Sequence, residues 1–489
     1  MSTTDEIRIE GAYTDARVFT DDLEDDCREQ IQAMVDHEAF REPVRIMPDA
    51  HPGAGAVIGF TMPLGERVCP NTVGVDIGCG MTARRLGRPA TLIDSLGDEH
   101  AMREIDDRIR AAVPMGQNTF DDVATDQDYH LVDDFPWDRC EKKLQTLNET
   151  LGTAIDADYG KAYFLDLCDR IGYDVRRAIS SLGTLGGGNH FVEVSRSRET
   201  DDVWVVVHSG SRGIGYTIAE YWQEQAHRAC DDRAGRIRKR LRSDPDIEPA
   251  FYAFDLDAVD DRDLLNWVQG GMGADWKRPD AVRAAKEGSA IEATMDRLRD
   301  IATIAREETD GDDLDYLEGD QRHGYLRDMI FAQTYAAESR RRMVDAVVDV
   351  LDAPAASDDD YIVSTHNYID AEDLIVRKGA TRAHAGERGI VPFNMRDGAV
   401  IIEGRGNEAW NLSAPHGAGR RGSRRWAHRE FDLAAFEAAM DGVFSTSIRE
   451  STIDEAPMAY KDSDAILDRM TPTARVIDEL TPVLNLKAT

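Results

Sequence analysis

Asp76 and Cys79 stand three residues apart in Gly74-Val-Asp76-Ile-Gly78-Cys79-Gly80, a turn built of small residues. A carboxylate and a thiolate on one tight loop can bind the same divalent ion. The glycines let the backbone fold back so that both groups point inward. Three histidines occupy similar glycine-dense breaks. His190 ends Gly183-Thr-Leu-Gly-Gly-Gly-Asn189-His190, where three consecutive glycines permit close backbone approach to a ligand. His208 follows an apolar run and precedes Ser-Gly-Ser-Arg212-Gly-Ile-Gly215. His366 lies in Ser364-Thr-His366-Asn367-Tyr-Ile-Asp370. Each motif alone also describes a structural turn around an inert cysteine or histidine. Together the five side chains make a ligand set for two divalent ions, with the Cys79 thiolate as the bridge. Adjacent ions suit phosphoryl transfer, because they clamp the attacking and leaving oxygens.

Groups suited to phosphate accompany them. Residues 203–207, Val-Trp-Val-Val-Val, read as a buried strand. The loop 208–215 and an expected helix over 216–225 follow. That order aims free backbone N–H groups at an anion, helped by Arg212. It matches neither the Walker A nor the GxGxxG pattern. Arg377-Lys378-Gly-Ala-Thr-Arg382 is a compact basic patch. The segment Ser413-Ala-Pro-His416-Gly-Ala-Gly419 leads into Arg420, Arg421, Arg424, Arg425 and Arg429, with no acid between 420 and 429. Arginine binds phosphate bidentately. His416, beside these cations, can act as a nucleophile toward phosphorus. From the residues alone, the chain reads as a metal-dependent phosphoryl-transfer enzyme.

Elements must bring these dispersed motifs together. Glycine-dense regions at 47–81, 183–215 and 376–424 alternate with acidic, helix-like stretches. Residues 18–42 and 97–112 read as helices. Apolar positions at Leu326, Met329, Ile330, Ala336, Ala337, Met343, Val347 and Leu351 predict an amphipathic helix over 326–351. Val400-Ile-Ile402 is a second buried-strand candidate. The mixture predicts an α+β fold: one catalytic domain over 1–489, with central β-sheets around a two-metal cleft and peripheral helices. Residues 230–320 read as an acidic, mostly helical peripheral insertion within it.

Composition sets outer bounds. The 489 residues carry 93 Asp and Glu against 58 Lys and Arg, a formal charge of −35. Hydrophobic residues make up 42%, enough for a large core and too many for a disordered acidic tail. The charge excludes a uniformly basic nucleic-acid binder, so any RNA contact must use a local basic island. Only nine of the 58 basic residues are lysine. Carboxylate excess with scarce lysine suits a protein hydrated in concentrated salt, so a halophilic source is expected. No apolar run approaches the roughly 20 residues of a membrane span. The first residues lack the basic and apolar regions of a signal peptide, so a cytoplasmic location is expected. The six cysteines form no CxxC pair, and no disulfide framework is expected.

In these motifs the chain resembles the RtcB family of RNA ligases. The matching pieces are MPDAHPGAG, GVDIGCGM, GTLGGGNHFVEV, VVVHSGSRG, YLRDM with YAAESRRRM, HNYID, RKGATRA, APHGAGRRGSR, AYKD and LNLK, in the family's order from residue 47 onward. The resemblance implies a Mn²⁺- and GTP-dependent ligase, active in tRNA splicing or RNA repair. It would join an RNA 3′-phosphate or 2′,3′-cyclic phosphate end to a 5′-hydroxyl end. His416 would attack the α-phosphate of GTP and become guanylylated, with Asp49 orienting it. Asp76, Cys79 and His190 would hold one Mn²⁺, and Cys79, His208 and His366 the second. Asn189 would touch the nucleotide phosphate. Glu193, Tyr460 and Lys487 would read the guanine, with the ring stacked on Tyr460. Arg212, Lys378, Arg420 and Arg424 would contact phosphates of GTP or RNA ends. An archease-type activator is a possible partner, and a monomer is favoured.

Three positions depart from the family pattern. The family has Asp-x-Asn-Cys-Gly around the cysteine, whereas Gly78 stands here. Its Pro-Gly-Ser-Met-Gly stretch is replaced by Pro392-Phe-Asn394-Met395-Arg396-Asp397-Gly398. Ser339 stands where Asn is usual. These mark a divergent branch, expected from the resemblance to come from a halophilic archaeon, and they bear on nucleotide preference. Two other functions fit the same residues: a two-metal phosphoesterase or cyclic phosphodiesterase without nucleotide transfer, and a non-catalytic RNA-end binding protein.

Overall fold

The apolar run at 203–207 forms the centre of the main sheet in the computed structural model. The structure describes residues 6–120, 132, 134–243, 254–269, 300–301, 303, 311–353 and 361–489. The N-terminal residues 1–5 and much of the expected 230–320 insertion lie outside the described residues.

Fifteen strands are described: β1 Ile7–Glu10, β2 Asp15–Val18, β3 Val44–His51, β4 Ile58–Pro63, β5 Gly80–Gly87, β6 Phe191–Ser197, β7 Val203–Ser209, β8 Tyr361–Thr365, β9 Asn367–Ile369, β10 Ile375–Lys378, β11 Ala380–Arg382, β12 Arg388–Asn394, β13 Gly398–Gly404, β14 Ser413–Pro415 and β15 Ala474–Leu486. Seven form an antiparallel sheet in the order β12-β13-β15-β6-β7-β5-β8. Its outer strands approach each other, for the Ile390 N–H donates to Ser364 Oγ at 2.8 Å. The sheet thus curls toward a barrel. A second sheet runs β1-β2-β3-β4-β10-β9, and β11 pairs with β14.

Every residue of β7 is buried because both faces of its sheet are covered. Val203, Val205 and Val207 pack with Met343, Val344 and Val347 of the long helix Gly319–Val350. Trp204 and Val206 point the other way, into a cluster with Met81, Ile362, Ile401 and Leu480. Each such side chain contributes about 1.5–3 kcal/mol through burial.

The long helix is central rather than amphipathic. Its first half packs Tyr325, Met329, Ile330 and Phe331 into the largest core. Its buried Asp328 has partners, accepting hydrogen bonds from Tyr163, Arg170 and Trp222. It begins seven residues before the expected start, because charged residues at its N-terminal end interrupt the apolar periodicity without breaking the helix. The 97–112 expectation corresponds to helix Glu99–Ala112, whose first N–H groups are capped by Asp98. Of 18–42, only Asp25–Val35 is helical, and Val18 closes β2.

Residues 1–226 with 313–489 form one compact unit, and 227–312 a second. The described part of the second unit contains helices Arg233–Ser243 and Asp261–Gln269 around Ile237, Leu241, Leu264 and Trp267. The molecule is of mixed α/β class, as expected. Among the described residues no helix is long and apolar enough to cross a membrane. None of the six cysteines forms a disulfide.

Candidate active site

Antiparallel pairing brings four expected ligands to one end of four neighbouring strands. Cys79 immediately precedes β5 and His190 immediately precedes β6. His208 is the penultimate residue of β7, and His366 immediately follows β8. Register fixes the match: Gly80 faces both Ser209 and Thr365, and Phe191 faces His208. The His366 N–H then donates to Cys79 O at 2.9 Å.

The donor atoms form a continuous chain. Asp76 Oδ2 lies 3.0 Å from His190 Nε2. His190 Nε2 lies 3.4 Å from Cys79 Sγ, and Cys79 Sγ 3.3 Å from His208 Nε2. His208 Nε2 lies 3.3 Å from His366 Nε2. Among the described residues, Cys79, His190 and His208 form a buried group with ligand atoms all within 4.8 Å of one another. His208 Nδ1 faces the Asn189 carbonyl at 3.2 Å; a carbonyl only accepts, so the Nδ1–H donates and Nε2 keeps its lone pair. Burial, aided by neighbouring histidines, pushes His208 and His366 well below their ordinary pKa. Burial works to raise Asp76, but His190, a Cys79 hydrogen bond and the Ser211 N–H outweigh it and hold the carboxyl at about 2. Burial and Asp76 push the Cys79 thiol well up. The neutral imidazoles of His208 and His366, the Asp76 carboxylate and a Cys79 thiol that can exchange its proton for a cation make a set that fits divalent metal.

The glycines are required by close approach. A Cβ at Gly210 would fall 2.0 Å from Asp76 Oδ1, and one at Gly186 2.0 Å from His190 Nδ1. Arg340, wholly buried, clamps the site from beneath. Its Nη1 donates to Gly78 O and Ser209 O at 2.7 Å each, beside Cys79 and His208.

His416 follows β14 and projects toward the same cluster, its ring centroid 4.9 Å from that of His366. Asp49 lies on β3 where the pairing with β4 is irregular, a deformation that re-aims side chains. Its buried Oδ2 accepts from His416 Nδ1 at 2.7 Å and from the His416 N–H at 3.2 Å. With Nδ1–H committed to a carboxylate, His416 Nε2 is left as the ring nitrogen that carries the lone pair.

A cleft of about 240 Å³ opens over His416. Asn189, His208, His366, Arg420, Arg424, Tyr460 and Lys487 line it, with Glu455 and Asn485. Glu455 is the hub of its wall. It pairs with Lys487 at 2.9 Å and Arg420 at 3.1 Å, and accepts from the Tyr460 hydroxyl at 2.6 Å. Burial works to raise its carboxyl, but Lys487, Tyr460, Arg420 and Arg424 hold it at about 2. The Arg420 guanidinium stacks 5.4 Å from the Tyr460 ring centre. Sequence reasoning missed both Glu455 and Arg340. The only trace of Glu455 was an acidic pair, Asp454-Glu455, shortly before Tyr460.

Three expected residues lie behind the cleft rather than on it. The Glu193 carboxylate accepts from Ser195 at 2.7 Å and from Asn485 at 2.8 Å, and burial pushes it up to about 7. It meets the cleft through Asn485. The Lys378 ammonium donates to the carbonyls of Ala54 and Asn71, and burial pushes it down to about 7. Arg212 donates to Thr184 Oγ1 at 3.1 Å and Gly116 O at 2.6 Å, bracing the glycine loop before His190.

Comparison with known proteins gives the family of the chain. The family model described as "tRNA-splicing ligase RtcB" matches residues 30–246 and 292–488. RNA-splicing ligase RtcB of Escherichia coli strain K12 is 28% identical over 482 residues, covering 95% of each chain. The tRNA-splicing ligase RtcB of Aeropyrum pernix is 25% identical, covering 86% of this chain and 82% of its own. That of Methanococcus maripaludis is 23% identical, covering 96% and 92%. The family model spans most of the sequence, including every strand from β3 to β15 that carries the cluster and the cleft, and the chain belongs to the RtcB family.

Proposed function

We propose that this chain is an RNA ligase that joins a 3′-phosphate or 2′,3′-cyclic phosphate end to a 5′-hydroxyl end, using GTP and two Mn²⁺ ions. The pairing of His416 with Asp49 at 2.7 Å, beside the His/Cys/Asp cluster, carries this proposal. Asp76, Cys79 and His190 would hold one ion, and Cys79, His208 and His366 the other. Bound divalent cations would supply charge neutralisation and polarisation of phosphate oxygens.

The chain's own groups perform the rest. Asp49 holds the Nδ1–H of His416 and stabilises positive charge on the ring. His416 Nε2 attacks the α-phosphorus of GTP, forming an N–P bond as the bond to pyrophosphate breaks. A 2′,3′-cyclic end is first opened by water, which adds to its phosphorus as the bond to the 2′ oxygen breaks; an RNA 3′-phosphate oxygen then attacks the phosphorus held by His416, frees His416 and leaves an RNA(3′)pp(5′)G end. The 5′-hydroxyl attacks the RNA phosphorus, loses its proton and releases GMP. Arg420, Arg424 and Lys487 surround the cleft with positive charge for these phosphates. Tyr460 offers a ring face to the base, and Asn189, Asn485 and Glu193 line or back the same wall. Lys378 and Arg212 support the loops that carry the ligands.

The test is incubation with GTP, Mn²⁺ and an RNA pair bearing cyclic-phosphate and 5′-hydroxyl ends. Ligation lost in both His416→Ala and Cys79→Ala is expected. Cyclic-phosphate hydrolysis that survives His416→Ala, without any ligation by the parent, would make the chain a phosphoesterase instead. RNA binding without Mn²⁺ dependence or turnover would make it an end-binding protein.

A further inference from the structure

The arginines that follow His416 divide into two sets with different surroundings. Helix Arg424–Glu430 turns one side inward: Ala427 is buried, Arg424 Nη1 lies 2.8 Å from Asp454 Oδ2, and His428 Nε2 lies 3.5 Å from Asp454 Oδ1. Arg424 and His428 are four apart, so they share that side. Arg425 and Arg429 are likewise four apart, on another side, and both are exposed. Arg421, just before the helix, is exposed as well, while its backbone N–H is fixed to Ala459 O at 2.9 Å. Among the described residues, none of these three guanidiniums has a hydrogen-bond or ion-pair partner.

Arg421 also lines a neighbouring groove, and the other arginines there differ in being paired. Arg396 pairs with Asp397 at 2.7 Å, Arg198 with Glu479, and Arg469 with Asp21 at 2.5 Å. That groove is also lined by Asp22, Glu24, Asp462 and Asp464. In a chain of charge −35, a local set of uncompensated guanidiniums costs solubility nothing and attracts anions selectively. The position gives it direction. Arg424, at the start of the helix, lines the His416 cleft, and Arg425 and Arg429 lie on the same helix one and five residues further on.

We propose that Arg421, Arg425 and Arg429 form a docking surface for the phosphate backbone of single-stranded RNA whose 3′-terminal phosphate enters the His416 cleft. This rests on the ligase function proposed above and adds to it an external contact of about three phosphates. Bidentate guanidinium–phosphate pairs would hold the strand, and the surface would carry no base specificity.

The full-length protein tests it through the salt dependence of RNA binding. A fluorescent single-stranded RNA with a 3′-phosphate is titrated over a series of KCl concentrations, against the parent and a triple R421Q/R425Q/R429Q variant. Each lost contact flattens the slope of log K against log salt by about 0.7, so the triple variant should flatten it by about 2. The affinity difference should vanish toward molar salt. A triple Arg→Lys variant should keep the parent slope, since it keeps the charge. Labelling of the protein by GTP, measured without RNA, should match the parent in both variants. Unchanged RNA affinity and slope in the Gln variant, with GTP labelling intact, would overturn the docking surface and leave the ligase proposal standing. Absence of GTP labelling in the parent would count instead against the ligase proposal. Weakened binding of an acidic protein, with RNA binding unaltered, would reassign the surface to a protein partner and overturn the proposal.

Discussion

Asp49 Oδ2 lies 2.7 Å from His416 Nδ1 although 367 residues separate the two in sequence. One comes from an irregular edge of β3 and the other from the end of β14. The same oxygen accepts the His416 backbone N–H, so ring and main chain are oriented by one buried carboxylate. Asp49→Asn preserves shape and removes the charge that stabilises an imidazolium. The rate of GTP labelling should fall by about 10²–10⁴-fold, by analogy with other carboxylate–histidine pairs. Single-turnover labelling checks this; an unchanged rate would remove Asp49 from the mechanism.

Cys79 stands in the middle of the donor chain, with Asp76 and His190 on one side and His208 and His366 on the other. In the proposed function a shared thiolate would make both ions depend on this one residue. Calorimetric titration with Mn²⁺ should give two bound ions for the parent and a severe loss of both in Cys79→Ala. Retention of one ion at parental affinity would show that the thiolate is not shared.

Glu455 is buried among Lys487, Arg420 and Tyr460. Its folded pKa, about 2, lies below the ordinary carboxylate value of 4.5. The ionised form is therefore favoured by folding. That stability is fully present above about pH 4.5 and is lost as pH falls toward 2. Glu455→Gln leaves buried cations without their counter-charge, a loss of about 3–5 kcal/mol. Urea unfolding at neutral pH should show the loss, and the gap between variant and parent should narrow between pH 4.5 and 2. A gap that widened on acidification would contradict the sign.

Gly78 departs from the asparagine of the family pattern for a reason visible in the packing. Its φ is +75°, which asparagine tolerates, but a Cβ would lie 2.8 Å from Gln333 Cα of the long helix. Gly78→Asn should therefore destabilise by about 1–3 kcal/mol, through overpacking against backbone. A variant of parental stability in thermal unfolding would show that helix and loop can separate at no cost.

The clustering of Asp76, Cys79, His190, His208 and His366 was legible because they sit at or near strand ends beside glycines. The β7 run was legible because burial on both faces demands continuous apolar residues. Glu455 and Arg340 were not: each is defined by partners distant in sequence, and a charged residue in an acidic chain carries no local sign of burial. Lys378 and Glu193 show the reverse. Their motifs drew attention, yet their heads are engaged by Ala54, Asn71, Ser195 and Asn485 behind the cleft. The centrality of the helix Gly319–Val350 was hidden because its buried Asp328, Glu338 and Arg340 mimic a polar face.

The charge of −35 makes stability itself salt-dependent if the chain is adapted to concentrated salt. The thermal midpoint should climb steadily with KCl, as carboxylate repulsion is screened. A midpoint that is flat or falls with KCl would speak against that adaptation.

The most direct measurement is transfer of label from α-³²P-GTP to the protein in Mn²⁺, followed by mass-spectrometric mapping of the modified residue. The account predicts a GMP adduct on His416, absent in His416→Ala and without Mn²⁺, and chased onto RNA bearing a 3′-phosphate. No adduct, or an adduct on another residue that supports ligation, would contradict it.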